Sequence, residues 1–214
     1  SLHDALPILP PTTTRIPPLC IPLKSCKLWL TISAPTVPAD TVIYIHLPAV
    51  TYEGGLSING RAINLLGSQE GRTVFTGNTQ VTIDGGLICC FDRLDFCGDG
   101  SRIGLSASAR VHLTNCTISG WKTDILAYGH TWVNCMNCRF EDNQVGFHFN
   151  ATDDAVSHTT YSDNEFTNNG TPVLLESVPT DVSLRFPGSV FSGNGTDIDN
   201  RCDQDLDISQ AIFR

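Results

Sequence analysis

Aligned on Phe96, Ile118, Phe140, Phe166, Phe191 and Phe213, the chain repeats itself at intervals of 22, 22, 26, 25 and 22 residues, and no other property restricts its fold so tightly. Seven residues after the first five anchors stand Ile103, Ile125, Phe147, Val173 and Ile198. Five before the anchors stand Phe91, Leu113, Cys135, Tyr161, Phe186 and Ile208, and seven before them Cys89, Val111, Val133, Thr159, Leu184 and Leu206. Only Thr159 breaks the apolar columns. Three residues after the anchors come Asp99, Trp121, Asn143, Asn169 and Asn194, four of them Asn or Asp, which tolerate left-handed backbone, and the spacing predicts turns there.

Within each repeat the apolar residues alternate with polar ones, which is the period of a strand and not of a helix. No segment is long enough to bury itself. Stacked coil on coil at roughly 4.8 Å, the inward columns close one core and every strand pairs with its counterpart above and below. A leucine-rich horseshoe would need Leu-x-x-Leu-x-Leu and helical segments, and the chain has neither. The fold expected is therefore all-β, a right-handed parallel β-helix (solenoid) of about six to seven coils, occupying residues 41–214.

The chain's 214 residues suit one such domain, and its 22 acidic against 13 basic residues argue against a nucleic-acid partner. No apolar run approaches the roughly 18 residues of a membrane span, so no membrane insertion is expected. Residues 1–8, SLHDALPI, read as the translated end of a sequencing-adapter oligonucleotide, not as native protein. Residues 9–40 carry Pro10, Pro11, Pro17, Pro18, Pro22, Pro35 and Pro38, too many fixed φ angles for a helix or central strand, and predict a linker or unstructured segment. At the other end Leu206, Ile208, Ala211 and Phe213 form a last rung with no capping segment after it, which predicts an edge covered by further coils or by a partner.

The stretch IYIHLPAVTYEGGLSINGRAINLLGS, residues 43–68, together with the repeats to Phe213, resembles the pectin-lyase-like superfamily, in particular bacterial right-handed β-helix repeat proteins. The resemblance implies the fold and favours an extracellular or cell-envelope location. It leaves activity open, because this fold carries lyases, hydrolases, esterases, isomerases and non-catalytic binding modules.

Several constellations invite a sharper reading. Cys135-x-x-Cys138 lacks the second close pair of a zinc ribbon, and Cys89-Cys90 has the wrong spacing, so no metal and no cofactor are expected. In the repeat register Cys116 and Cys138 share one inward column and read as small buried thiols. Asp153-Asp154 followed by His158 is similar to the acidic pair and histidine of polygalacturonases, but that family's Asn-Thr-Asp and Arg-Ile-Lys elements are absent. The Asn-x-Thr triplets at Asn115, Asn150, Asn169 and Asn194 read as turn and strand asparagines before they read as glycosylation acceptors.

The outward columns carry the best candidate. Eight and six residues before the anchors lie Arg110 and His112, Trp132 and Asn134, His158 and Thr160, then Ser183 and Arg185. A flat array of indole, imidazole and guanidinium suits a sugar polymer, since the indole stacks on a pyranose face and guanidinium pairs with uronate carboxylates. Arg110, His112, Trp132, Asn134, His158 and Arg185 are therefore the expected polysaccharide contacts, with Trp132 substantially exposed. A second strip, Arg93/Asp95, Asn115/Thr117, Asn137/Arg139 and Asp163/Glu165, mixes acids with bases and is the secondary place for a cleft. The function expected is a polysaccharide-contacting β-helix module with no catalytic centre of its own. A fragment of a polysaccharide lyase or glycoside hydrolase, and a purely structural or adhesive solenoid, are the alternatives.

Overall fold

The structure is a computed structural model that describes residues 43–83, 88–152, 160–178 and 183–214. Residues 1–8, the proline-rich stretch 9–40, and Asp153, Asp154, His158 and Thr159 lie outside the described residues. Each coil contributes three short strands, and each strand pairs in parallel with its counterpart one coil on, so that consecutive neighbours within a sheet are three strands apart in the chain. The first sheet runs from Ile43–His46 to Tyr161–Ser162, the second from Thr51–Tyr52 to Ile212–Phe213, and the third from Leu56–Asn59 to Ile198–Asn200. The result is an all-β parallel solenoid of about seven turns, with no helix among the described residues.

The anchor column of the second sheet pairs rung by rung from Phe96 through Ile118, Phe140, Phe166 and Phe191 to Phe213. It also reaches two coils earlier than the repeat pattern showed, through Phe75 to Tyr52. The rings stack with centroids 4.8 Å apart for Phe140 and Phe166, 4.6 Å for Phe166 and Phe191 and 4.9 Å for Phe191 and Phe213. That spacing is the strand separation itself, so backbone pairing and aromatic stacking reinforce each other. At the far end Ile208, Ile212 and Phe213 are exposed.

Two sequence expectations need correction. Ile125 pairs with Leu105, whereas Ile103 pairs with Thr123, so Leu105 occupies the buried place assigned to Ile103. The physical reason is Trp121, which is wholly buried and donates Nε1 to Phe96 O at 3.1 Å. Its indole lies against Gly98 and Gly104, where a Cβ would come within 2.4 and 3.0 Å of ring atoms, and the corner is lengthened around it. Trp121 is thus a core residue and not part of a turn.

The second correction concerns the asparagines three residues after the anchors. The left-handed residues sit one place earlier, at Gly120, Asp142, Asn168 and Gly193, and at Arg93, Asn115, Asn137, Asp163 and Gly188 before the anchors. These two columns turn the chain into and out of each second-sheet strand. Asn143, Asn169 and Asn194 point inward and form a ladder. Asn143 Nδ2 donates to Asn169 Oδ1 at 2.9 Å, Asn169 Nδ2 to Asn194 Oδ1 at 3.2 Å, and the same oxygens accept the backbone N–H of Asn143 and Asn169. Asn169 and Asn194 also donate to Phe140 O and Phe166 O, so each amide satisfies corner groups that the sheets leave unpaired.

Candidate functional site

The first sheet places its residues by simple alternation. In Arg110–Thr114 the side chains of Val111 and Leu113 are buried while Arg110, His112 and Thr114 face outward. Pairing sets Arg110 beside Trp132 and His112 beside Asn134. The Arg110 guanidinium carbon lies 5.9 Å from the centre of the Trp132 ring, within cation–π range. Trp132 Nε1 donates to Asn134 Oδ1 at 3.0 Å, and the same oxygen accepts Thr160 N at 3.0 Å.

These bonds explain two departures from the sequence reading. Trp132 is half-buried and packs against the edge of the core, not fully exposed, because Arg110 covers it and Asn134 fixes its indole. Asn134 is itself buried, at 8% exposure, and its oxygen is committed to Trp132 and to the backbone of the next coil. Its place is to hold the tryptophan. His112 is partly buried, which lowers its pKa, and its Nε2 lies 3.4 Å from Met136 Sδ.

Arg110, His112, Trp132 and Asn134 are therefore brought together on adjacent strands. Arg185 is exposed and stands two coils further along, joined to Thr160 by an isolated bridge and paired across its strand with Asp207. His158 falls outside the described residues, as do Asp153 and Asp154.

The secondary strip forms a groove of about 250 Å³ lined by Asn115, Cys116, Thr117, Asn137, Cys138, Arg139, Asp163 and Glu165. Arg139 is bridged to Glu141 at 2.6 Å and to Glu165 at 3.2 Å, while Asn137 donates to Asn115 and Asn115 to Asp92. Its cation is neutralised by Glu141 of its own strand and Glu165 of the next rung, the arrangement of a surface ladder. The seven described cysteines are free thiols. Among the described residues no three His, Cys, Asp or Glu side chains gather to hold a metal ion, and no helix is long and apolar enough to cross a membrane. The side-chain nitrogens of Asn115, Asn150, Asn169 and Asn194 all donate hydrogen bonds, to Asp92, Glu176, Phe140 O and Phe166 O.

One cluster escaped sequence reasoning. On the outward face of the third sheet His148 Nε2 lies 2.9 Å from a Glu176 oxygen, and Arg201 joins Glu176 at 3.7 Å to Asp199 at 2.7 Å. A register shift after Phe149 brings His148 and Glu176 together across 28 residues, a separation that no repeat interval announces.

These features define a parallel β-solenoid with one aromatic and cationic sheet face. Comparison of the chain with models of known families, with curated proteins and with solved structures found no match.

Proposed function

We propose that this solenoid is a polysaccharide-binding module, extracellular or attached to a bacterial envelope, that contacts its ligand through the outward face of the first sheet. The observation that carries the reading is the Arg110–Trp132 pair, with the indole fixed through Asn134. The fixed indole, one face covered by the Arg110 guanidinium, offers its exposed edge to a sugar at little entropic cost, and the guanidinium adds a cation to the same outward face. His112 extends the same face, and Arg185 stands further along the axis, in the direction an extended polymer would follow. The likeness of residues 43–68 to the opening of pectin-lyase-like β-helices supports the same ligand class.

Affinity electrophoresis through polygalacturonate, alginate and a neutral β-glucan tests this. The wild-type chain is expected to be retarded on at least one polymer, Trp132→Ala to lose retardation while circular dichroism still shows the folded solenoid, and Arg110→Gln to weaken the uronate interaction most. Unretarded migration of the wild type on every polymer would overturn the reading. New reducing or unsaturated ends in the same gels would shift it to a fragment of a lyase or hydrolase.

A further inference from the structure

At the corner that leads into the second sheet, Arg93, Asn115, Asn137, Asp163 and Gly188 hold the same place on five successive rungs, all with φ between 52° and 70°. The backbone N–H of the first four donates one rung on, to Thr114 O, Met136 O, Ser162 O and Pro187 O. One backbone conformation in one register makes their side chains leave the corner in one direction.

A hydrogen-bond ladder runs along this column, and its polarity is fixed at one end. Asp92, ion-paired with Arg93, is a carboxylate and only accepts. Asn115 therefore turns Nδ2 to Asp92 Oδ1, at 2.7 Å, and its own Oδ1 accepts Asn137 Nδ2, at 2.6 Å. The amide atom that Asn137 has left is Oδ1, an acceptor, and the next side chain in the column is Asp163, a second acceptor. Among the described residues neither Asn137 Oδ1 nor the Asp163 carboxylate receives a side-chain hydrogen bond or an ion pair. A Cβ added at Gly188 would lie 2.4 Å from Asp163 Oδ1, so the acid uses the space that glycine leaves one rung on and is held clear of Asn137.

Asn137 and Asp163 both line the groove of about 250 Å³. Of the charged residues in that lining, Arg139 and Glu165 are bridged to each other, and Arg139 also to Glu141, so the negative charge without a described cation is that of Asp163. Two acceptors and one unbalanced negative charge suit a cationic donor with several N–H groups. We infer that this groove binds a primary ammonium group, as carried by a 2-amino sugar or an aliphatic diamine. One N–H donates to Asn137 Oδ1 and another to Asp163. Two acceptors each about 2.8 Å from a tetrahedral nitrogen stand about 4.6 Å apart, close to the rung spacing of roughly 4.8 Å. The inference does not rest on the polysaccharide reading, whose residues lie on the first sheet.

The test uses the whole chain labelled with ¹⁵N, at near-neutral pH and low salt, with glucosamine, N-acetylglucosamine and putrescine as probes. Glucosamine is expected to shift the Asn137 side-chain amide resonance saturably, that resonance being assigned by its loss in Asn137→Gly. N-acetylglucosamine, which lacks the charge, should leave it in place. An equal response to putrescine would show that the ammonium alone is read, and a response to glucosamine only that the sugar hydroxyls are read as well. Asp163→Asn removes the charge and supplies an amide donor that continues the ladder to Asn137 Oδ1, and asparagine tolerates the left-handed backbone there. This variant should lose amine affinity by at least roughly tenfold while its urea-unfolding midpoint stays the same or rises. No saturable shift with either amine, equal binding of N-acetylglucosamine, or full affinity or a lowered midpoint in Asp163→Asn would overturn the site.

Discussion

Asn143 donates its side-chain amide to the carboxyl of Asp124, 19 residues earlier, inside a core where Asp124 is 0% and Asn143 3% exposed. The other Asp124 oxygen has no hydrogen-bond partner, and burial drives the carboxyl's pKa well up. The asparagine ladder thus ends on an acid whose neutral form burial favours. Trp121 takes the ladder position in that coil and donates its backbone N–H to Asn143 Oδ1 at 2.8 Å, so the ladder can go no further.

That arrangement predicts a pH dependence of definite sign. An unfolded aspartate titrates near 3.9, and here the folded value lies above it. The proton is therefore bound more tightly by the folded chain. The contribution to stability is complete below the unfolded pKa and is lost as pH rises towards the folded one. Asp124→Asn keeps an acceptor for Asn143 and removes the titration. Thermal unfolding should show Asp124→Asn gaining on the wild type at pH 7 relative to pH 4. A wild-type-minus-variant difference that is flat across those two conditions would refute an upward-shifted Asp124.

The ladder itself should be worth more than any surface counterpart. Asn169→Ala removes the acceptor for the Asn143 amide and backbone N–H and the donor to Phe140 O, leaving buried polar groups unpaired. A loss of about 3 kcal/mol in urea unfolding is expected. Asn115→Gly, which breaks the exposed Asn137–Asn115–Asp92 chain at a left-handed position that glycine adopts without strain, should cost less than about 1 kcal/mol. Equal costs would mean that inward and outward ladders are energetically alike.

How much of this could be read from the chain depends on whether a column enforces one residue type. The Phe96-to-Phe213 column was legible because stacked rungs force each position to meet its own kind, so a large apolar residue recurs at the coil interval. Asn143 and Asn169 were misread as turn residues because asparagine suits both a left-handed corner and an inward amide ladder, and local pattern does not separate the two. Leu105 was missed because Trp121 lengthens a corner by filling it, which only packing reveals. On the candidate face, pairing of Arg110 with Trp132 followed directly from the interval of 22 residues. The commitment of Asn134 to Thr160 N did not, because it depends on first-sheet pairing that is confined to Cys135 and Met136.

The aromatic column should show a gradient of cost along the axis. Phe140→Ala opens a cavity between Ile118 and Phe166 at a fully buried coil and should cost roughly 3 to 5 kcal/mol. Phe213 stacks on one ring only and is 44% exposed, so Phe213→Ala should cost well under half as much. Chemical denaturation of the two variants decides the matter, and a Phe213→Ala cost equal to that of Phe140→Ala would mean the last rung is covered in solution.

The corner at Trp121 gives a coupling that a double-mutant cycle can measure. At Gly104 an added Cβ would meet Trp121 Cε2 and Nε1 at 3.0 Å and Asp124 O at 2.9 Å, so Gly104→Ala should destabilise the chain by about 1 to 3 kcal/mol. Trp121→Leu removes these ring atoms and should absorb the part of that cost not set by Asp124 O, giving an interaction energy of at least about 0.5 kcal/mol. Gly98→Ala meets the backbone oxygen of Gly120 at 2.4 Å as well as the indole, and that closer backbone clash does not retreat when the ring is removed. Most of its penalty should persist in the Trp121→Leu background. Strict additivity at Gly104 would show that Trp121 does not set the shape of this corner, and the displaced register of Leu105 would then need another cause.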